Sequence, residues 1–129
     1  MLFKNRKDRK LFLYLHPAVI MIFADMNNFA FSNFGKELTI TSTISTPRED
    51  KKLGRKSLSH QRKLAIDIRT KDVSAFDLQE LLEYINNKEE YKQYHYLSNS
   101  GEHRLAFFHN DNSGEHIHLA IHAKYKDDL

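Results

Sequence analysis

The sequence predicts an α+β domain, with a small, mostly antiparallel sheet and two main helices. Three observations lead there. Apolar residues recur at helical spacing in two separate stretches, other stretches alternate strictly as strands do, and 129 residues suffice for one core but not for two. With 40% apolar residues, including nine Phe and six Tyr, the chain carries enough hydrophobic surface to offset the entropy of ordering it. Residues 1–129 are therefore read as a single domain, with residues 1–16 as a basic N-terminal extension.

That extension carries "KNRKDRK" ahead of an apolar run from Leu11 to Ala24, an arrangement that mimics a secretion signal. His16 and Pro17 interrupt the run, no small-x-small cleavage site follows, and Asp25 closes it short of the ~20 apolar residues a membrane span needs. No membrane insertion is expected, and the producing cell's cytoplasm is the expected location. Pro17 then suits a first helical position, and Val19, Ile22, Phe23, Met26, Phe29 and Ala30 set the apolar face of a helix over 17–33 that Gly35 stops. "ELTITST" at 37–43 alternates and is β-branched, so it reads as a strand. "STPREDKKLGRKSLS" at 45–59 is charged and aperiodic, and reads as a long exposed loop.

"LAIDIRT" at 64–70 is a second strand, with Leu64, Ile66 and Ile68 on one face and Asp67 on the other. Ser74 with Asp77 marks a helix start, and Leu78, Leu81, Leu82 and Ile85 carry its apolar face to about Asn87. Three short strands follow, at 94–98, 104–110 and 116–122, joined by turns containing "NSGE" and "DNSGE".

Charge and composition narrow the chemistry. Twenty Lys plus Arg against 17 Asp plus Glu leave +3, a surplus that suits an anionic partner without selecting one. Basic stretches without interleaved aromatics read as solvated surface, so no nucleic-acid partner is expected. The absence of cysteine excludes disulfides, thiolate metal sites and thiol nucleophiles, so any metal must be held by nitrogen and oxygen. Eight histidines remain, with His95, His103, His109, His116, His118 and His122 close together near the C-terminus.

In "HIHLAIH" the strand period puts His116, His118 and His122 on one face, opposite Ile117, Leu119 and Ile121. His60 ends the long loop and Asp67 follows seven residues later on a strand. Two imidazoles and a carboxylate are a ligand set that catalytic zinc accepts, the fourth position being left open, and Glu115 is then the adjacent base. The competing reading of these residues is an exposed or hydrogen-bonded strand face.

"SHQRKLAIDI", with His60, Ala65 and Asp67, and "EHIH", with Glu115, His116 and His118, resemble the signature of the zinc D-Ala-D-Ala carboxypeptidases and L-alanyl-D-glutamate endopeptidases, whose superfamily includes the hedgehog signalling domain. The resemblance runs from about Pro17 to the C-terminus. It implies a hedgehog/DD-peptidase-like fold, zinc held by His60, Asp67 and His118, Glu115 as acid/base, and His116 supporting the site. It also implies hydrolysis of peptidoglycan peptides by a monomer that resembles a phage endolysin and reaches the wall during lysis. The alternative within the same superfamily is a non-catalytic, zinc-stabilised binding domain. Two departures stand out. Lys63 takes the place of a usual glycine, and Ser45 stands where the family has an arginine that grips a substrate carboxylate. Arg48 or Arg62 is expected to replace it.

Overall fold

The structure is a computed structural model and describes residues 1–111 and 114–128. It is α+β, with a five-stranded sheet of order β1-β2-β3-β7-β6 and a separate two-stranded ribbon. The strands are β1 (Leu2–Phe3), β2 (Thr39–Ser42), β3 (Ala65–Arg69), β6 (Ala106–Asp111) and β7 (Gly114–Ala120), with β4 (Tyr96–Leu97) and β5 (His103–Arg104) forming the ribbon. The sheet is mixed, which corrects the mostly antiparallel expectation: β1 runs parallel to β2, pairing Leu2 with Thr39 and Phe3 with Ile40. A two-residue strand has too few positions to show a period, so it left no readable signal.

Residues 1–16, read above as an extension, build β1, the helix α1 (Arg6–Leu11) and a 3-10 turn at Phe12–Tyr14. Phe12 and Leu15 enter the core, and the buried Asp8 carboxylate accepts from the Thr43 amide and hydroxyl, which ties α1 to the end of β2. The main helix α2 (Pro17–Phe34) begins at Pro17 and ends at Gly35, whose φ of 69° is the left-handed cap conformation. The second amphipathic helix, α4 (Ala75–Asn87), starts with the Ser74 hydroxyl accepting from the Asp77 amide.

The stretch 45–59 is not one long loop. Thr46 and Glu49 form a capping box, Pro47 takes the first turn, and α3 (Pro47–Leu53) follows, closed by left-handed Gly54. Its charged surface lacks an apolar stripe, so the capping residues were its one sequence signal. Residues 104–110 divide between β5 and β6, and β7 starts two residues earlier than expected, at Gly114. Asn112 and Ser113 of the "DNSGE" turn lie outside the described residues.

The helices α2 and α4 cover one face of the sheet, where Ile40, Ile66, Ile68, Ile117 and Leu119 are fully buried in one apolar cluster. At ~25 cal/mol per Å2, such burial is the main source of stability. The opposite face carries Asp67, His116 and His118. Among the described residues, no helix is long and apolar enough to cross a membrane.

Candidate metal centre

Strand register builds the site. β3 and β7 are antiparallel with Asp67 directly opposite His118 and Arg69 opposite His116, while β6 sets Phe107 beside His118 and His109 beside His116. Alternation then turns Asp67, His116 and His118 to the face away from the core. His60 arrives from the turn that precedes β3. All three imidazoles point at one oxygen: Asp67 Oδ1 lies 3.3 Å from His60 Nε2, 3.2 Å from His118 Nδ1 and 3.5 Å from His116 Nε2. His60 and Asp67 are both at most 3% exposed, so water cannot mask these contacts.

The tautomers follow from the partners. His60 Nδ1 is 2.6 Å from the Thr43 carbonyl, which only accepts, so Nδ1 carries the hydrogen and the neutral ring presents a lone pair at Nε2. That buried Nε2 has no hydrogen-bond partner and faces a carboxylate oxygen, another acceptor. His116 repeats the arrangement: its Nδ1 donates to the Gly114 carbonyl at 3.0 Å, leaving Nε2 toward Asp67. Lone pairs converging in a buried space require a proton or a metal cation between them. His60, Asp67 and His118 each offer a ligand atom, all within 4.8 Å of one another. The donor set and the orphaned Nε2 therefore fit a metal ion that accepts nitrogen and oxygen ligands.

Burial works against the charged Asp67 carboxylate, yet the surrounding His118 and His60 imidazoles prevail and hold it well below the usual carboxylate range. Burial, opposed by the Asp67 carboxylate, pushes the His118 imidazole down, which favours the neutral, metal-binding form.

The second Asp67 oxygen is taken by a residue that the sequence reading missed. Arg55 Nη2 donates to Asp67 Oδ2 at 2.8 Å and to the Ser42 hydroxyl at 3.0 Å, while Nη1 donates to Asp50 Oδ1 at 3.1 Å. Ser45 and Gln61 hold Asp50 in turn, at 2.6 and 2.7 Å. Ser45 thus buttresses an arginine supplied from ten residues further along. Arg55 follows directly on Gly54, the left-handed cap of α3, and reaches Ser42 at the end of β2 and Asp67 on β3. By holding Oδ2, the arginine leaves Oδ1 facing the imidazoles and fixes the orientation of the carboxylate.

The remaining expected residues divide. Glu115 is exposed at the start of β7 and lines a cleft of about 630 Å3 together with Asp67 and His116. Arg48 is exposed on α3, whereas Arg62 lines a cavity of about 350 Å3 that also includes His118. His109 packs its ring 5.3 Å from that of His116. His122 caps the final 3-10 turn through the Lys124 amide. The Ser59 hydroxyl pairs with Ser57 at 3.1 Å, so Thr43, not Ser59, orients His60.

Lys63 has φ 65°, a left-handed conformation that favours glycine, in the turn between His60 and β3. The residue type that the resemblance expects there is the one the backbone asks for. Lys63→Gly is expected to stabilise the fold by up to about 1 kcal/mol, the cost of a side chain in this region, and to leave the site geometry unchanged. A thermal melt checks this, and a lower melting temperature contradicts it. A scan against protein-family models found no match, and comparisons with curated proteins and with solved structures found none either.

Proposed function

We propose that this protein is a zinc-dependent peptidase that cleaves an amide bond in bacterial cell-wall peptides. The observation that carries the reading is the buried meeting of the His60 Nε2 lone pair with Asp67 Oδ1, 3.3 Å apart, with His118 on the same oxygen. The resemblance of "SHQRKLAIDI" and "EHIH" to the zinc carboxypeptidase and endopeptidase signature supports the substrate class, the hedgehog/DD-peptidase-like fold and release to the wall during lysis. His60, Asp67 and His118 hold the metal, which supplies Lewis acidity toward the scissile carbonyl and a nucleophile at neutral pH. Arg55 keeps Asp67 oriented. His116, its Nδ1 donating to the Gly114 carbonyl, presents Nε2 to the same space and supports the site.

Glu115 exchanges the proton, reaching the site through the cleft it shares with Asp67 and His116. Glu115→Gln is expected to lower peptide release from purified peptidoglycan by at least about 100-fold, within the range general acid–base groups contribute, while zinc content stays unchanged. Undiminished release would take Glu115 out of the reaction.

A zinc-stabilised binding domain without turnover is the second reading. Its specific support is the exposure of Glu115, which contrasts with the buried His60 and Asp67. Chelator-sensitive peptide release by the wild-type protein would exclude it.

A further inference from the structure

Positive charge is unevenly spread along the chain. Residues 1–16 hold five Lys or Arg against one acidic residue, and residues 17–129 hold fifteen against sixteen, so the surplus of the whole protein resides in the first segment. The fold sorts that segment into two faces. Asp8, Phe12 and Leu15 recur three and four residues apart and are buried, Asp8 against Thr43 and the two apolar side chains in the core. Arg6, Arg9, Lys10, Leu13 and Tyr14 follow the complementary spacing and are exposed, Leu13 at 80% and Tyr14 at 65%. The one acidic residue of the segment is thus hidden, and the outward face is cationic along α1 and apolar just beyond it.

This arrangement works against the helix that carries it. Arg6 opens the first turn of α1, at the positive end of the helix dipole, and Arg6 and Lys10 are like charges four residues apart. Lys7 is paired with Glu49 and, with Lys4, lines the cleft shared with Asp67, whereas Arg6, Arg9 and Lys10 have no ion-pair partner among the described residues. Three cations without counter-charges, followed by an exposed leucine and tyrosine, match a boundary where negative headgroups lie beside hydrocarbon. The cations meet the charge, the leucine reaches the acyl boundary, and the tyrosine, with an apolar ring and a polar tip, suits the level between. A soluble polyanion offers the charge but no apolar environment for Leu13.

We propose that Arg6, Arg9, Lys10, Leu13 and Tyr14 form a peripheral docking surface for an anionic lipid bilayer, with the cations on the headgroups and Leu13 and Tyr14 entering the interface. The protein then lies on the bilayer and does not cross it, in keeping with the lack of a membrane-crossing helix among the described residues. None of the five residues takes part in the metal centre, so docking stands or falls apart from the peptidase reading.

The test is sedimentation of the whole 129-residue protein with vesicles of phosphatidylcholine alone and of equal parts phosphatidylcholine and phosphatidylglycerol. Binding to the anionic vesicles is expected to be on the order of 100-fold tighter, each basic residue at such a surface contributing about 5-fold, and to weaken as salt rises. Arg9→Gln is expected to lose about 5-fold, and the triple variant Arg6→Gln, Arg9→Gln, Lys10→Gln nearly all of the preference. Leu13→Ser is expected to weaken binding several-fold. Tyr14→Trp, which supplies a chain without tryptophan with one, is expected to show emission moving to the blue when anionic vesicles are added. The substituted side chains are all exposed, and unchanged circular dichroism shows that a variant folds. If the triple variant fails to fold, Arg9→Gln and Leu13→Ser carry the test. Equal binding to the two vesicle types overturns the surface. So does anionic binding that neither Leu13→Ser nor the tryptophan emission registers, or tighter binding to double-stranded DNA at equal phosphate concentration, since charge alone would then account for the segment.

Discussion

Asp67→Ala is expected to cost more than any other single substitution at this site, lowering the melting temperature by roughly 10–20 °C and abolishing metal binding. The Asp67 carboxylate sits between Arg55 and three imidazoles, and without it Arg55 keeps only its longer pair with Asp50. Removing it leaves the Arg55 guanidinium, 12% exposed, without its 2.8 Å partner, and three imidazoles without the oxygen they share. Breaking a buried pair from one side costs about 3–5 kcal/mol, because the remaining charge stays desolvated.

The pH dependence has a definite sign. The Asp67 carboxyl is held below its ordinary range, so its contribution is present above the unfolded value of ~3.9 and disappears as pH falls through the folded one. The gap between wild type and variant is therefore greatest at neutral pH and narrows in acid. Thermal melts of both proteins across pH check this, and a gap that widens in acid contradicts it. Asp67→Asn, which keeps the volume and one acceptor, is expected to fall between the two.

Zinc is expected to raise the melting temperature of the metal-free wild-type protein by roughly 10 °C at a hundredfold excess over its dissociation constant, equivalent to about 2.7 kcal/mol. The increment should vanish in His60→Ala and His118→Ala, and chelator should reverse it in the wild type. Cobalt is expected to bind in the same place, since imidazole and carboxylate ligands accept it, whereas magnesium should leave the melt unchanged. An equal zinc increment in His60→Ala would show the ion held elsewhere.

How far the sequence revealed this arrangement depended on the range of the interactions involved. Asp67 was legible because alternation along β3 separates it from Ile66 and Ile68, and His116 and His118 because the same period sets them against Ile117 and Leu119. Both readings use only neighbours in one strand. His60 came from its spacing to Asp67, and the structure brings the two within reach through the tight turn that carries Lys63. Arg55 was not legible. Its place depends on α3 ending at Gly54 and on Ser42 and Asp50 meeting it from two other segments, and no local pattern encodes three-way closure.

Glu115 shows the converse. Its position beside His116 in the sequence suggested proximity, but adjacent residues of a strand face opposite ways, and what it shares with Asp67 and His116 is the lining of one cleft. The sheet followed the same division. The pairing of β3 with β7 and of β7 with β6 joins strands the alternation had marked, whereas β1 is too short to have a pattern and is held by the Phe3 and Phe12 rings, 5.4 Å apart, beneath it.

The most direct measurement is the metal content of protein purified without added metal, compared between wild type and His118→Ala. A buried pair of lone pairs on a carboxylate, completed by a third nitrogen, predicts close to one equivalent of zinc per wild-type chain and a small fraction of that in the variant. Wild-type protein that carries no zinc and takes none up from a micromolar solution would contradict the metal centre and the peptidase built on it.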